Sequence, residues 1–340
     1  MIGARTGALL VWAGAAVALL ALVALAFAVG SYPVAPRAVL AIVLAALGGD
    51  SHGASADAEA VVLVIRGPRI VAALLVGAGL AVAGAAYQSV LRNPLVSPDI
   101  LGVSAGAALG ALTGIWLGAD AWVVQALAFG AGLATVALVF GLAASFRQHD
   151  PLLLLVLSGV VVGALAGALI ALLKVLADPH NQLPAMTYWL LGSLAAVTPA
   201  DSLAVAPAIA AGMAVLWLLR WRIDVLSMGD EEARALGVDA GRVRVAALAA
   251  ATLATAAAVS VCGVIGWVGL VVPHLARLLT GPGSARLMPA AALLGAGFLL
   301  AVDTVARGVG TTELPLGVLT ALIGTPLFLW ILARARRGWQ

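Results

Sequence analysis

The sequence predicts an all-α, polytopic membrane protein with about ten transmembrane helices and both termini in the cytoplasm, and three observations carry that expectation. Only 10% of the 340 residues are charged and 64% are hydrophobic. A soluble domain carries about 25% charge, so this chain cannot solvate the surface of a globule of its size. Stretches free of Asp, Glu, Lys, Arg and His cover 6–36, 70–91, 100–119, 121–146, 151–173, 202–219, 245–273, 287–302 and 314–333, and roughly 20 apolar residues cross a bilayer as a helix. These runs are continuous rather than alternating over about 10 residues, which excludes a transmembrane β-barrel.

The first stretch follows Arg5 and has small residues near Ala24-Leu25-Ala26, as a signal peptide would. Its apolar length far exceeds a signal core of about 7–15 residues, so it reads as an uncleaved first span. The second is introduced by Arg66-Gly67-Pro68-Arg69 and contains one polar amide, Gln88. A polar group in an apolar helix faces protein or water rather than lipid, which leaves a transport pathway and a packing hydrogen bond both open.

Between the second and third spans lies Arg92-Asn93-Pro94-Leu95-Val96-Ser97-Pro98-Asp99. Asn93 suits a helix C-terminus, Pro94 prevents continuation, and Ser97 before Pro98 reads as an N-cap with proline at the first helical position. The third span has glycine at 102, 106, 110, 114 and 118, and the fifth at 159, 163 and 167. Such stripes let helix backbones approach where lipid supplies no hydrophobic drive for association.

The loop after the sixth span, about 223–244, is the most charged segment. Gly229-Asp230-Glu231-Glu232-Ala233-Arg234-Ala235-Leu236-Gly237 reads as a short helix, with Asp230 as N-cap, acids at the positive end of the dipole and Gly237 as terminator. Asp239 then opens a second helix. This capped pair is either a docking surface for a cytoplasmic partner or a solvated interfacial helix. The seventh stretch continues to Gly281, long enough for two helices hinged near Cys262-Gly263, which brings the span count to ten.

An even count puts both ends on one side, and Arg5, Arg334, Arg336 and Arg337 mark that side as cytoplasmic under the positive-inside rule. Arg220, Arg222, Arg234, Arg242 and Arg244 agree. Arg37, Arg66, Arg69, Lys174 and Arg307 remain for the outer face. Arginine there runs against the insertion bias, so Arg66, Arg69 and Arg307 are read as meeting an acidic partner, binding headgroups or capping helices.

Several chemistries are excluded. Lys174 is the only lysine and lacks a glycine-rich phosphate loop, so this chain does not bind ATP in that way. Cys262 is the only cysteine, so no intrachain disulfide forms. His52, His149, His180 and His274 lack metal-ligand spacing, and nothing forms a basic surface for nucleic acid. The charge-free windows hold no ionisable pair near the midplane, which disfavours an ion-coupled secondary transporter.

Beyond these readings, several segments resemble one family, the iron-siderophore, haem and cobalamin permeases of bacterial ABC importers of type II. They are Arg66 to Arg69, Gly77 to Gln88, Asn93 to Gly106, Trp189-Leu190-Leu191-Gly192-Ser193-Leu194, Glu232 to Val238, Gly263 to His274, Asp303 to Arg307 and Glu313-Leu314-Pro315-Leu316-Gly317. The resemblance runs in family order from about residue 60 to the C-terminus.

It implies a single permease domain over 1–340 in the bacterial inner membrane, a homodimer or a pair with a paralogous permease, two cytoplasmic ATPase subunits holding ATP-Mg, and a periplasmic or lipid-anchored binding protein. No cofactor or metal belongs to this chain, no bond is made or broken on it, and the cargo is an iron complex, with cobalamin or a molybdate-type oxyanion as the alternative. By the same resemblance, Asp230, Glu231, Glu232, Ala233, Arg234, Leu236 and Gly237 form the element that couples to the ATPase. Arg66, Arg69 and Arg307 engage acids of the binding protein. Gln88, Asn93, Pro94, Pro98, Gln148, His149 and Asp150 are candidates for the pathway or its inner gate.

Overall fold

The computed structural model describes residues 2–30, 32, 34–46, 48, 55–145, 151–309 and 313–335. Every described element is helical: α1 (Ile2–Ala28), α2 (Pro36–Ala46), α3 (Ala56–Ala60), α4 (Gly67–Val90), α5 (Val103–Trp116), α6 (Ala121–Ser145), α7 (Pro151–Leu176), α8 (Gln182–Leu191), α9 (Pro199–Met228), α10 (Asp230–Ala235), α11 (Ala240–Cys262), α12 (Val268–Thr280), α13 (Ser284–Gly308) and α14 (Leu316–Ala335). A π-helical turn, Val61–Arg66, joins α3 to α4, and a 3-10 turn, Pro98–Leu101, precedes α5. One apolar helix falls in each predicted window, and two fall in the seventh.

Six helical runs are long and apolar enough to cross a membrane: Ala56–Val90, α6, Leu152–Leu176, α9, α11 and α13. The bundle is built around α4 and α11, which bury most of their surface, whereas α6 and α7 leave most of theirs to lipid or to another chain. Helix α4 packs on α13, α11, α9 and α12, and α5 packs on α6. Small residues make this possible. A Cβ at Gly84 would strike the Gly269 carbonyl of α12, and one at Gly106 would strike Thr135 of α6. The glycine stripe of α5 is therefore its seam with α6, the close-approach packing that lipid-embedded helices use.

The predicted hinge is present. Helix α11 stops at Cys262, Gly263 takes φ 70°, and α12 starts at Val268 after Trp267, itself at φ 70°. Breaking a helix within the apolar zone frees backbone groups that lipid cannot satisfy. The loop after α8 supplies partners: the Ser193 N–H donates to the Cys262 carbonyl at 2.8 Å, and the Leu316 N–H donates to the Gly192 carbonyl at 3.0 Å. Three segments that look unrelated in sequence thus close one gap in the bundle.

Candidate functional site: the two charged ends of the bundle

At one end, α9 passes through Gly229 into α10. Gly237, at φ +74°, ends that helix: its N–H donates to the Arg234 carbonyl at 2.9 Å, and the Val238 N–H donates to the Ala233 carbonyl at 2.8 Å. This is a Schellman closure, with Val238 and Ala233 packed in the same core cluster. Asp239 accepts from the Arg242 N–H at 3.0 Å and caps α11. Ala233 is wholly buried, while Glu231, Glu232, Arg234 and Leu236 are exposed.

Asp230 departs from its expected role. Gly229 occupies the N-cap position and no side chain caps the helix. The Asp230 carboxylate instead receives Arg244 Nη2 at 2.8 and 3.0 Å, with Arg92 Nη2 at 3.4 Å. An ion-assisted hydrogen bond outcompetes a neutral backbone donor, and a carboxylate in the first turn keeps its favourable position on the dipole.

Arg92 belongs to the turn after α4, so the structure brings that turn and α10 together. Arg92, not Asn93, is the left-handed residue, at φ 50°. The Asn93 N–H donates to the Gln88 carbonyl at 3.1 Å, and Asn93 Oδ1 accepts from the Leu95 N–H at 2.9 Å. Pro94 follows, and Ser97, extended at φ −122°, stands at the N-cap position of the 3-10 turn, before Pro98, as expected, but its hydroxyl caps no backbone N–H and instead donates to Asp99 Oδ2 at 3.4 Å. The helix it opens is only that turn; Gly102 at φ 77° then admits α5.

Gln88 is buried. Its Nε2 donates to the Leu270 carbonyl at 3.0 Å and its Oε1 accepts from Arg277 Nη1 at 3.1 Å. It bridges α4 to α12, the packing alternative. Gln148, His149 and Asp150 lie outside the described residues.

At the opposite end, Arg66, Arg69 and Arg307 do come together, but pointing inward. Arg69 Nε meets Asp303 Oδ1 at 2.8 Å, Arg69 Nη1 meets Glu313 Oε2 at 2.8 Å, and Arg307 Nε meets the second oxygen of Asp303 at 3.1 Å. Arg307 also donates to the Ala26 and Val29 carbonyls, both at 3.1 Å, while Arg66 donates to the carbonyls of Phe27 at 2.5 Å and Tyr32 at 2.6 Å. Arg66 and Arg69 are each 4% exposed and Arg307 8%. The expectation that these guanidiniums stand ready on the surface for a partner's acids does not fit this geometry: their donors are engaged in tying α1, α4 and α13 together.

Sequence reasoning missed the acids that hold them. Asp303 stands four residues before Arg307 on one helix, a readable spacing; Glu313 gave no local signal. Among the described residues no group of His, Cys, Asp and Glu could hold a metal ion.

Comparison with known proteins is consistent with this architecture. Residues 18–334 match the FecCD transport family. The chain is 38% identical over 280 residues to the molybdate import system permease protein MolB of Haemophilus influenzae, covering 82% of this chain and 83% of the relative. It is 41% identical over 276 residues to an iron chelatin transport system permease protein of Helicobacter pylori, covering 81% and 83%. Among solved structures it superposes on a metal-chelate type ABC transporter in an inward-facing conformation with a TM-score of 0.84 at 34% identity, covering 94% of this chain and 98% of that one. On this family match and these relatives, the chain is a membrane-embedded, multi-pass ABC importer permease and belongs to the FecCD transport family.

Proposed function

We propose that this chain forms, with a second copy or a paralogous permease, the transmembrane path of an inner-membrane importer that carries an iron complex, a siderophore or haem, into the cytoplasm. Two separate ATPase subunits supply the energy, and a substrate-binding protein delivers the cargo outside. The observation that carries the coupling role is α10: a six-residue helix presenting Glu231, Arg234 and Leu236 to solvent while Ala233 and the Asp230–Arg244 pair fix it to the bundle. A lever needs this combination of an accessible outer face and a rigid root. ATP-driven closure of the ATPases moves α10, and through Arg92 the motion reaches the turn at Asn93–Pro98. No bond of the cargo changes.

This assignment makes the α10 end cytoplasmic and the Arg69–Asp303 end external. The binding protein docks on the outer face whose shape the buried cluster holds, with Glu313, half-exposed, as the member it can touch. Likeness to iron chelatin and metal-chelate transporters supports an iron complex; likeness to a molybdate permease supports an oxyanion as the second reading. The test is ATPase stimulation of the reconstituted complex by binding protein loaded in turn with ferric siderophore, haem, cobalamin or molybdate. Stimulation by an iron form upholds the assignment, stimulation by molybdate alone replaces it with the second reading, and uptake driven by an ion gradient without ATP overturns the mechanism.

A further inference from the structure

Helix α1 runs parallel to α13, since Leu19 lies beside Gly297 and Val29 beside Gly308. Between α1, α12 and α13 lies an open groove of about 670 Å³. Leu19 and Leu22 line one wall, Leu294 and Phe298 the other, and Leu279 stands near one mouth. Trp12, Thr280 and Arg286 border that same mouth, because α12 ends and α13 begins there. The Ser284 N–H donates to Asp224 Oδ1 of α9 at 2.8 Å, so this mouth sits at the α10 end of the molecule.

Arg286 is exposed, and among the described residues its guanidinium has no acidic or carbonyl partner. Every other feature of the groove below it is apolar. From Arg286 to Phe298 a helix rises about 18 Å at 1.5 Å per residue. That is close to the depth of one leaflet of a hydrocarbon core about 30 Å thick. An indole and a free cation at the polar end of an apolar slot match, respectively, the interfacial zone and a phosphate.

We infer that this groove is a binding site for an anionic phospholipid, its phosphate at Arg286 and one acyl chain along Leu294, Phe298, Leu19 and Leu22. Charge complementarity selects the headgroup and the groove's length selects the chain. The lipid completes the seat of α1 on the rest of the bundle.

The experiment is native mass spectrometry of the purified full-length chain with equal amounts of phosphatidylglycerol and phosphatidylcholine carrying identical acyl chains. One cation near the surface is expected to favour the anionic lipid about fivefold. Arg286→Gln should bring the ratio to about one, and Arg222→Gln, an exposed arginine on α9 outside the groove, should leave it unchanged. Leu294→Trp fills the slot and should reduce retention of both lipids; if that variant does not fold, Arg286→Gln alone decides. An unchanged preference in Arg286→Gln, or undiminished retention in folded Leu294→Trp, overturns the site. So does a disulfide joining two copies of Ala18→Cys in membranes, which would make a second copy the occupant.

Discussion

Both ends of this bundle carry an aspartate gripped by two arginines, yet the two arrangements are built for opposite purposes. Asp303 is 0% exposed and spends one oxygen on Arg69 and the other on Arg307. Asp230 is 30% exposed, takes Arg244 and, more loosely, Arg92, and stands at the head of a short helix whose outer face is free. At the first end, burial and charge cooperate to lock α4 to α13. At the second, a small charged root holds an element that remains accessible. The same residue types give a clamp where water is kept from the carboxylate and a mount where it reaches it, Arg244 being buried at 10% exposure and Arg92 open at 38%.

The comparison breaks most visibly at Asp303. Asp303→Asn leaves the buried Arg307 with no carboxylate and Arg69 with Glu313 alone, and losing one partner of a buried ion pair costs about 3–5 kcal/mol. The thermal midpoint of the purified chain should fall by many degrees, and a small shift would show that the cluster is not the clamp its geometry describes. Next in size is Gly237→Pro. Proline cannot adopt φ +74° and has no N–H for the Arg234 carbonyl, a local cost of roughly 2–4 kcal/mol. Because Gly237 lies at the surface but Ala233 and Val238 beside it pack in the core, the melt should shift less than in Asp303→Asn while α10 loses its shape. In the assembled importer, ATP hydrolysis should then proceed without transport, and full transport would detach α10 from coupling.

Smaller again is Asp230→Asn. Water reaches the carboxylate, 30% exposed, but hardly Arg244, 10% exposed, so stability should drop by about 1–2 kcal/mol, between a surface pair and a sealed one. The informative readout is the number of ATP molecules consumed per cargo molecule moved. A rise with a melting loss well below that of Asp303→Asn upholds the mount; an equal loss would erase the distinction between the two ends.

What could be read from the sequence follows the reach of the forces involved. Lipid imposes apolarity residue by residue, so each window became a helix, and the break at Cys262-Gly263 was marked by glycines that only a turn requires. The closure by Gly237 and the cap by Asp239 depend on neighbours a few positions away and were equally legible. Asp230 looked like a cap because the nearest donors were backbone; its true partner, Arg244, lies fourteen positions on. Arg66, Arg69 and Arg307 could be assigned to one end by topology, but charge patterning tells which side of the membrane an arginine occupies, not whether it turns out or in. That depended on Asp303, on Glu313 and on carbonyls at the end of α1. The pairing of the loop after α8 with the α11 break carries no side-chain signature at all, since both partners are backbone.

Glu313 supplies the finest test, because it belongs to both arrangements at once. Its partner Arg69 is 5% exposed while its own side chain is 46% exposed. Glu313→Gln removes a charge, but Arg69 keeps Asp303 at 2.8 Å and so is not stranded. The amide oxygen can still accept from the guanidinium. The expected cost is therefore that of a surface pair, about 0.2–1 kcal/mol, and raising the salt concentration should shrink the difference between wild type and variant, because water and counterions reach the carboxylate. Thermal melts of both proteins at low and high salt measure this directly. A loss of several kcal/mol that is indifferent to salt would mean that Glu313 is sealed with Asp303 inside the clamp. This end of the bundle would then offer a partner no member of the cluster to touch.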